Sequence, residues 1–216
     1  RAFLWYTYDE SGKPTWYQAA ALEPVGNVWV AKLLRYTNDG TLQQSTQVGY
    51  VSITLLAEDD AIFSFSLFGE DGSDRERPSL TFTCPTIDET TRSYNGVWSR
   101  AAVGVGGSTV VVNATSQAFL HYIYDDSGVP VWLMAAPSPQ SATATELNLL
   151  QWSGYCVFCT GDAPTNETVG LFTREFSSET TANWTLDYVF APPLSGSVDR
   201  TDDTSKLTAQ LACPSG

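Results

Sequence analysis

The stretch "AFLWYTYDESGKPTW" (Ala2–Trp16) returns as "AFLHYIYDDSGVPVW" (Ala118–Trp132). Carried on to Ala20 and Ala136, the two stretches agree at 12 of 19 positions without a gap, at an offset of 116 residues. Identity that dense at a fixed offset marks a duplicated structural unit. Inside each phrase, a run of alternating aromatic residues is broken by Asp-x-Ser-Gly-x-Pro and then resumes, which is the pattern of a β-hairpin. Asp9 and Asp125 can accept hydrogen bonds from the backbone two residues on. Gly12 and Gly128 supply the positive φ that closes a four-residue loop with a bulge. Pro14 and Pro130 begin the return strand, where a missing N–H is tolerated. The alternating oxygen ligands and distal glutamate of a calcium loop do not follow, so the motif reads as a turn.

Outward from this hairpin, almost nothing reads as helix. The second copy spells eight short strands. They begin at Gly96 ("GVWSR"), Ser108 ("STVVVNA"), Ala118 ("AFLHYIY"), Val129 ("VPVWLMAA"), Ala144 ("ATELNLLQW"), Val169 ("VGLFTREF"), Ala182 ("ANWTLDYVF") and Lys206 ("KLTAQLAC"). Eight antiparallel strands in sequence order close into a meander barrel, which removes exposed edges. In "FLHYIY" both alternating faces carry large apolar groups, so this strand is expected to be covered twice, by the barrel interior and by something outside it.

The first copy shows six strands: Phe3–Tyr8, Pro14–Ala20, Asn27–Leu34, Val48–Leu56, Ala61–Phe68 and Leu80–Cys84. Its counterpart of "NGVWSRAAVGVGGSTVVVNATSQ" is missing. The chain therefore divides into a first repeat over 1–85, a linker over 86–94 and a second repeat over 95–216. The fold class is all-β, with two tandem antiparallel meander units, barrel-like or sandwich-like, the first incomplete. Three accounts of the incomplete copy compete. The opening hairpin has been cut from a longer protein, both copies merge into one fourteen-strand system, or a neighbouring chain fills the gap by strand addition.

Composition narrows the function classes. Eleven basic against 24 acidic residues give a formal charge of −13, with lysine only at positions 13, 32 and 206. Such a surface repels phosphate backbones and anionic lipid, so nucleic-acid binding is not expected. No apolar run is long enough for a helix to cross a bilayer, and membrane insertion is not expected either. Cys84 and Cys213 occupy the same position of the two copies ("TCP", "ACP"), while Cys156 and Cys159 sit in a stretch the first copy lacks. An even count in a Ser/Thr-rich acidic chain suggests an oxidising, extracytoplasmic compartment, secreted or cell-surface. Three pairings exist; Cys156–Cys159 with Cys84–Cys213 is the favoured one. CxxC here lacks the βαβ context of a redox motif and the second CxxC of a zinc site.

His121 is the sole histidine, lies mid-strand and has no nucleophile elbow nearby, so neither a triad nor a histidine metal cluster can be built. The adjacent carboxylates Asp9/Glu10 and Asp125/Asp126 fall in solvated turns rather than facing each other across a cleft. No catalytic residue, metal or cofactor is expected. Trp16 and Trp132 recur after the turn and read as core; Trp98 lies in the Gly-x-Trp strand. The non-repeated Trp5, Trp29, Trp152 and Trp184 are the candidate stacking residues for sugar rings.

The phrase from "GVWSR" to "AFLHYIYDDSGVPVWLMAA" resembles a Trp-rich repeat of secreted proteobacterial proteins, in which a Gly-x-Trp strand precedes a "WFTYDxDGxPxWY"-like hairpin. The likeness covers roughly the first forty residues of copy two and copy one only from the hairpin onward. It implies a tandem β-repeat, and no activity, since most members have none assigned. A weaker similarity links the strand order to the meander barrels of avidins and lipocalins, which also open on Gly-x-Trp, without implying a ligand. The reading that follows is a non-catalytic structural or adhesive protein, a polymer-forming surface subunit completed by strand addition, with self-association or another copy of the chain as partner. A carbohydrate-binding module with a glycan partner is the first alternative, and an accessory domain of a secreted hydrolase the second.

Overall fold

The computed structural model describes residues 2–9, 11–21, 23–40, 43–57, 60–76, 94–100, 106–112, 116–139, 143–154 and 163–207. These form fourteen strands in two separate sheets and, among the described residues, no helix. The first repeat contributes β1 (Ala2–Tyr8), β2 (Pro14–Ala20), β3 (Val28–Asn38), β4 (Gln43–Ala57), β5 (Asp60–Leu67) and β6 (Glu70–Glu76). They lie in sequence order as one curled six-stranded sheet. The second contributes β7 (Gly96–Arg100), β8 (Gly107–Val112), β9 (Ser116–Tyr124), β10 (Pro130–Pro139), β11 (Thr145–Ser153), β12 (Thr165–Phe176), β13 (Thr181–Val189) and β14 (Ser197–Lys206). These eight close into an antiparallel meander barrel, β14 pairing with β7 through Thr204↔Arg100, Ser205↔Ser99 and Lys206↔Trp98. The expectation of a merged fourteen-strand system is corrected: the barrel closes on itself and excludes the first sheet.

The hairpin chemistry is the same in both copies. Asp125 Oδ1 accepts from Ser127 N (3.0 Å), Ser127 Oγ (2.6 Å) and Val129 N (3.0 Å). Asp9 Oδ1 does likewise for Ser11 N (2.8 Å), Ser11 Oγ (2.7 Å) and Lys13 N (3.0 Å). Gly12 and Gly128 have φ of 77° and 76°. The loop is shorter than expected. Gly128 N donates to Asp125 O and Asp125 N to Val129 O, leaving three residues, the last of them left-handed, between the bonded pair.

Both closing strands fall where the sequence reads as loop. The strands expected at Leu80–Cys84 and from Lys206 onward are instead β6 (Glu70–Glu76) and β14 (Ser197–Lys206); residues 80–84 and 208–213 lie outside the described residues. In β14 the alternation survives with polar groups in place of apolar ones. Arg200 and the buried Asp202, two residues apart and so on one face, neutralise each other at 2.7 Å. The next residue on that face, Thr204, donates its hydroxyl to Ala182 O at 3.0 Å.

The barrel interior is filled with rings. Trp98, Phe119, Phe172, Phe176, Trp184 and Leu186 form its core, which is what an eight-strand barrel has room for. Arg174 is fully buried and donates to Thr143 O (2.8 Å) and, through Nε, to the Gln117 amide oxygen (3.1 Å) once that amide is turned to face it. Its guanidinium lies 5.6 Å from the Phe176 ring centre, a cation–π contact. Burial lowers its pKa from the usual arginine value.

The second covering expected for the "FLHYIY" strand is the first repeat. Phe119, His121 and Ile123 point into the barrel, and the outer face of β9–β10 packs on β1–β3. The contact has a two-fold logic. Trp16 Nε1 donates to Ile123 O at 3.1 Å, and Trp132 Nε1 donates to Thr7 O at 2.8 Å. Asn38 N donates to Gly128 O at 3.0 Å, and Gly154 N donates to Gly12 O at 3.1 Å. Every one of these partners maps onto its counterpart under the 116-residue offset. The repeats therefore meet as the two halves of an isologous dimer do, the same patch used by both. Rings seal the contact, with Tyr124 and Tyr8 each 5.7 Å from Trp16 and Trp132 respectively, edge on. At Gly128 an added Cβ would stand 1.9 Å from Asn38 O, so this glycine serves both the turn and the close approach of the other repeat.

Two tyrosines of this contact make stability depend on alkaline pH. Burial raises the Tyr6 phenol far above its usual value despite a 2.6 Å hydrogen bond with Thr109 Oγ1. Burial likewise pushes Tyr124 up to about 12, offset in part by the hydrogen bond it accepts from Gln43 Nε2. A pKa raised in the folded state means the neutral form is favoured by folding. This contribution is complete below the unfolded value of about 10 and lost as pH rises through the folded value. The urea midpoint should be flat up to about pH 10 and fall between about pH 10 and 12, tracked by phenolate absorbance. A midpoint constant across that window would refute the burial assigned to these phenols.

Candidate functional site

The barrel has no strand edge, whereas the first sheet has two. Among the described residues β1 pairs only with β2, and β6 only with β5. A free edge presents a row of unpaired backbone N–H and C=O groups.

The concave face between these edges is aromatic. Phe3 and Trp5 on β1 meet Phe63 and Phe65 on β5 across the curl of the sheet. Trp5 lies 5.3 Å from Phe63 and 4.8 Å from Phe65, and Phe3 lies 5.5 Å from Phe63. Phe65 can lean over β6 because residue 72 is glycine; a Cβ there would stand 2.3 Å from the ring. Beneath these rings lie Tyr17, Ala19, Trp29, Ala31, Leu33, Val51 and Leu67, which are buried.

The barrel supplies the comparison that gives this face its meaning. Pairing register places Phe3 at the position of Phe119, Trp5 at that of His121, Phe63 at that of Trp184 and Phe65 at that of Leu186. In the barrel all four are buried, at 2% exposure or less. In the first sheet all four are only half-buried. Leu55, at the position of the buried Phe176, is 48% exposed. The covering that the barrel positions receive comes in part from β7 and β8, whose Trp98 and Val110 are at 0%. Among the described residues, the first repeat also carries six of the nine exposed large apolar ones: Val25, Val30, Tyr50, Leu55, Leu56 and Phe68. Among the described residues, large apolar side chains are thus left uncovered mainly on the first sheet.

The four tryptophans singled out from the sequence do not converge. Trp5 and Trp29 share the first sheet's concave face, but Trp29 is buried at 6%. Trp184 sits inside the barrel at 2%, where no solute stacks on it. Trp152 is half-buried on β11, its indole N–H facing no acceptor among the described residues. A cleft of about 590 Å³ between the repeats is lined by Asn38, Asp39, Tyr124, Asp125, Asp126 and Arg200 among others, and by none of the four tryptophans. Asp125 there is engaged by its own turn. Cys84, Cys156, Cys159 and Cys213 lie outside the described residues. Among the described residues no group of three His, Cys, Asp or Glu side chains could hold a metal ion.

One pairing invisible to spacing arguments is Ser108 Oγ with His121 Nδ1 at 2.6 Å. Both residues are at 0% exposure, and Phe172 packs edge-on against the imidazole at 4.5 Å. A hydroxyl–imidazole pair sealed inside a filled barrel cannot meet a substrate, so it is a core hydrogen bond.

No family model matches the sequence, and neither a curated protein nor a solved structure matches the chain.

Proposed function

We propose that this chain is a non-catalytic, extracytoplasmic structural or adhesive subunit that assembles by strand addition onto its first sheet, the closed barrel acting as a rigid anchor beside it. One observation carries the reading. Positions sealed in the barrel are half-open in the first sheet, and they lie between two strands that, among the described residues, are each paired on one side only. An added strand brings ladder hydrogen bonds and covers apolar rings in the same event. The acidic surface restrains unspecific aggregation, so association is directed to the sheet edges.

Sedimentation across a concentration series, electron microscopy and amide hydrogen exchange test this reading. Concentration-dependent assemblies in which the amides of β1 and β6 become protected are expected. A monomer at every concentration, or assemblies that leave β1 and β6 exchanging freely, would overturn it. Glycan binding is the rival use of the concave aromatic face, and oligosaccharides that shift Trp5 fluorescence without changing mass would favour it over assembly.

A further inference from the structure

We infer that the cleft between the two repeats is a binding site for a neutral saccharide, separate from the concave face of the first sheet. Neither β1 nor β6 lines it, so the site does not depend on the assembly reading.

The cleft encloses about 590 Å³, within the roughly 300–1,000 Å³ of pockets that hold small ligands. The first repeat supplies one wall, the turn after β3 at Asn38, Asp39 and Gly40. The barrel supplies the other, from the β9–β10 turn and from Tyr188, Val198 and Arg200 on β13 and β14. Hydrogen bonds hold the walls in place. Asn38 N donates to Gly128 O at 3.0 Å, and Asp126 N donates to Ser195 O at 3.0 Å. The site is therefore largely formed before any ligand arrives, which lowers the ordering cost of binding.

Several polar groups of the lining are uncommitted. Among the described residues the one ion-pair partner of Arg200 is Asp202, reached through Nε at 2.7 Å, so both Nη groups remain available as donors. Asn38 Oδ1 accepts from Gly40 N at 3.0 Å, which leaves its Nδ2 to donate. Asp125 spends only Oδ1 on its turn, and the exposed Asp126 carboxylate has no hydrogen-bond partner among the described residues. Ile123, Tyr124, Tyr188 and Val198 give the same cleft an apolar part.

This mixture selects the ligand. An anion would be repelled by Asp39, Asp125 and Asp126, and a cation would meet the guanidinium of Arg200. A neutral molecule is repelled by neither, provided that its groups both donate and accept. Hydroxyls do both. A pyranose ring carries a rim of hydroxyls around an apolar C–H face, which matches separated donors and acceptors beside tyrosine and aliphatic side chains.

The site belongs to one copy. Pairing register places Arg200 at the position of Gly72 and Tyr188 at that of Leu67. The duplicated scaffold thus carries the guanidinium and the second phenol only beside the barrel.

The test screens the full chain on an array of neutral and charged oligosaccharides and titrates the hits by calorimetry. Neutral glycans are expected to bind, with an affinity insensitive to salt between about 0.05 and 0.5 M. Asp126→Ala and Arg200→Gln should each weaken binding about 10-fold or more, as for the loss of a hydrogen bond to a charged group. Asp126→Ala removes an exposed side chain without a hydrogen-bond partner among the described residues, so it keeps the test clear of folding defects. Sedimentation of both variants should match the parent chain at every concentration, which separates this site from assembly. An array without hits overturns the inference. So do hits that survive both substitutions and are lost in Trp5→Ala, which would move the sugar to the concave face. Binding confined to a cationic probe such as spermine, and abolished by salt, would reduce the cleft to an acidic patch and overturn it as well.

Discussion

Replacing Trp16 by alanine is expected to destabilise the chain by about 3–5 kcal/mol, the range for removing a buried large aromatic side chain. Trp16 is 2% exposed yet belongs to the interior of neither repeat. It projects from the outer face of β2 into the layer between them, stacked on Tyr36 at 5.8 Å and edge-on to Tyr122 at 5.4 Å. Its loss also strands the Ile123 carbonyl, which has accepted the indole N–H. Trp132 makes the mirrored contact with Thr7 O, and Trp132→Ala should have an effect of similar size. Both substitutions act on one shared interface, so the double variant should lose less than the sum of the singles. Equilibrium urea unfolding checks this. In the singles the one transition should split into two as barrel and sheet uncouple. A loss below about 1 kcal/mol, or strict additivity, would show that the reciprocal contact does not hold the repeats together.

Trp98→Ala is the second large effect, and it acts inside the barrel. Trp98 is at 0% exposure, with its indole N–H on Tyr94 O and its ring among Phe176 and Trp184. A loss of about 3–5 kcal/mol is expected from the cavity alone. The location adds a specific signature, because among the described residues the seam that closes the barrel is three registered pairs of β7 with β14, one of them Lys206↔Trp98, and the Leu207 N to Val97 O bond beside them. Amide exchange should accelerate first along β7 and β14, while the β9–β10 hairpin and its contact with the first repeat stay protected. Uniform acceleration over all eight strands would mean that the seam is not the weak point of the barrel. The comparison with Trp5 is instructive. That residue is half-buried on an open face, so its truncation removes less covered surface and should cost less.

The hairpins were legible because each of their requirements is local. An aspartate reaching its own backbone two and four residues on, and a glycine with positive φ, need nothing from the rest of the chain. The doubly apolar "FLHYIY" strand likewise announced an outer cover. The closing strands β6 and β14 were not legible, because "EDGSDRE" and "SVDRTDDTSK" carry the composition of loops. A strand whose inward positions are Arg200, Asp202 and Thr204 is stable only where partners for those groups already stand in place. Among the proposed stacking residues, Trp184 was beyond reach for the same reason. Nothing in "ANWTLDYVF" says which of two alternating faces a barrel will enclose.

The amino-acid order by itself determined the duplication, the all-β class and the turn chemistry, since all of these depend on periodicity and on short-range geometry. Only the tertiary structure decided that the copies meet through the same outer face with exchanged tryptophans, that one closes while the described strands of the other form an open curled sheet, and that Ser108 and His121 pair in a sealed interior. Those outcomes depend on which surfaces approach within hydrogen-bonding and van der Waals range across more than a hundred residues of chain. Such proximity is a property of packing and is written in no local stretch.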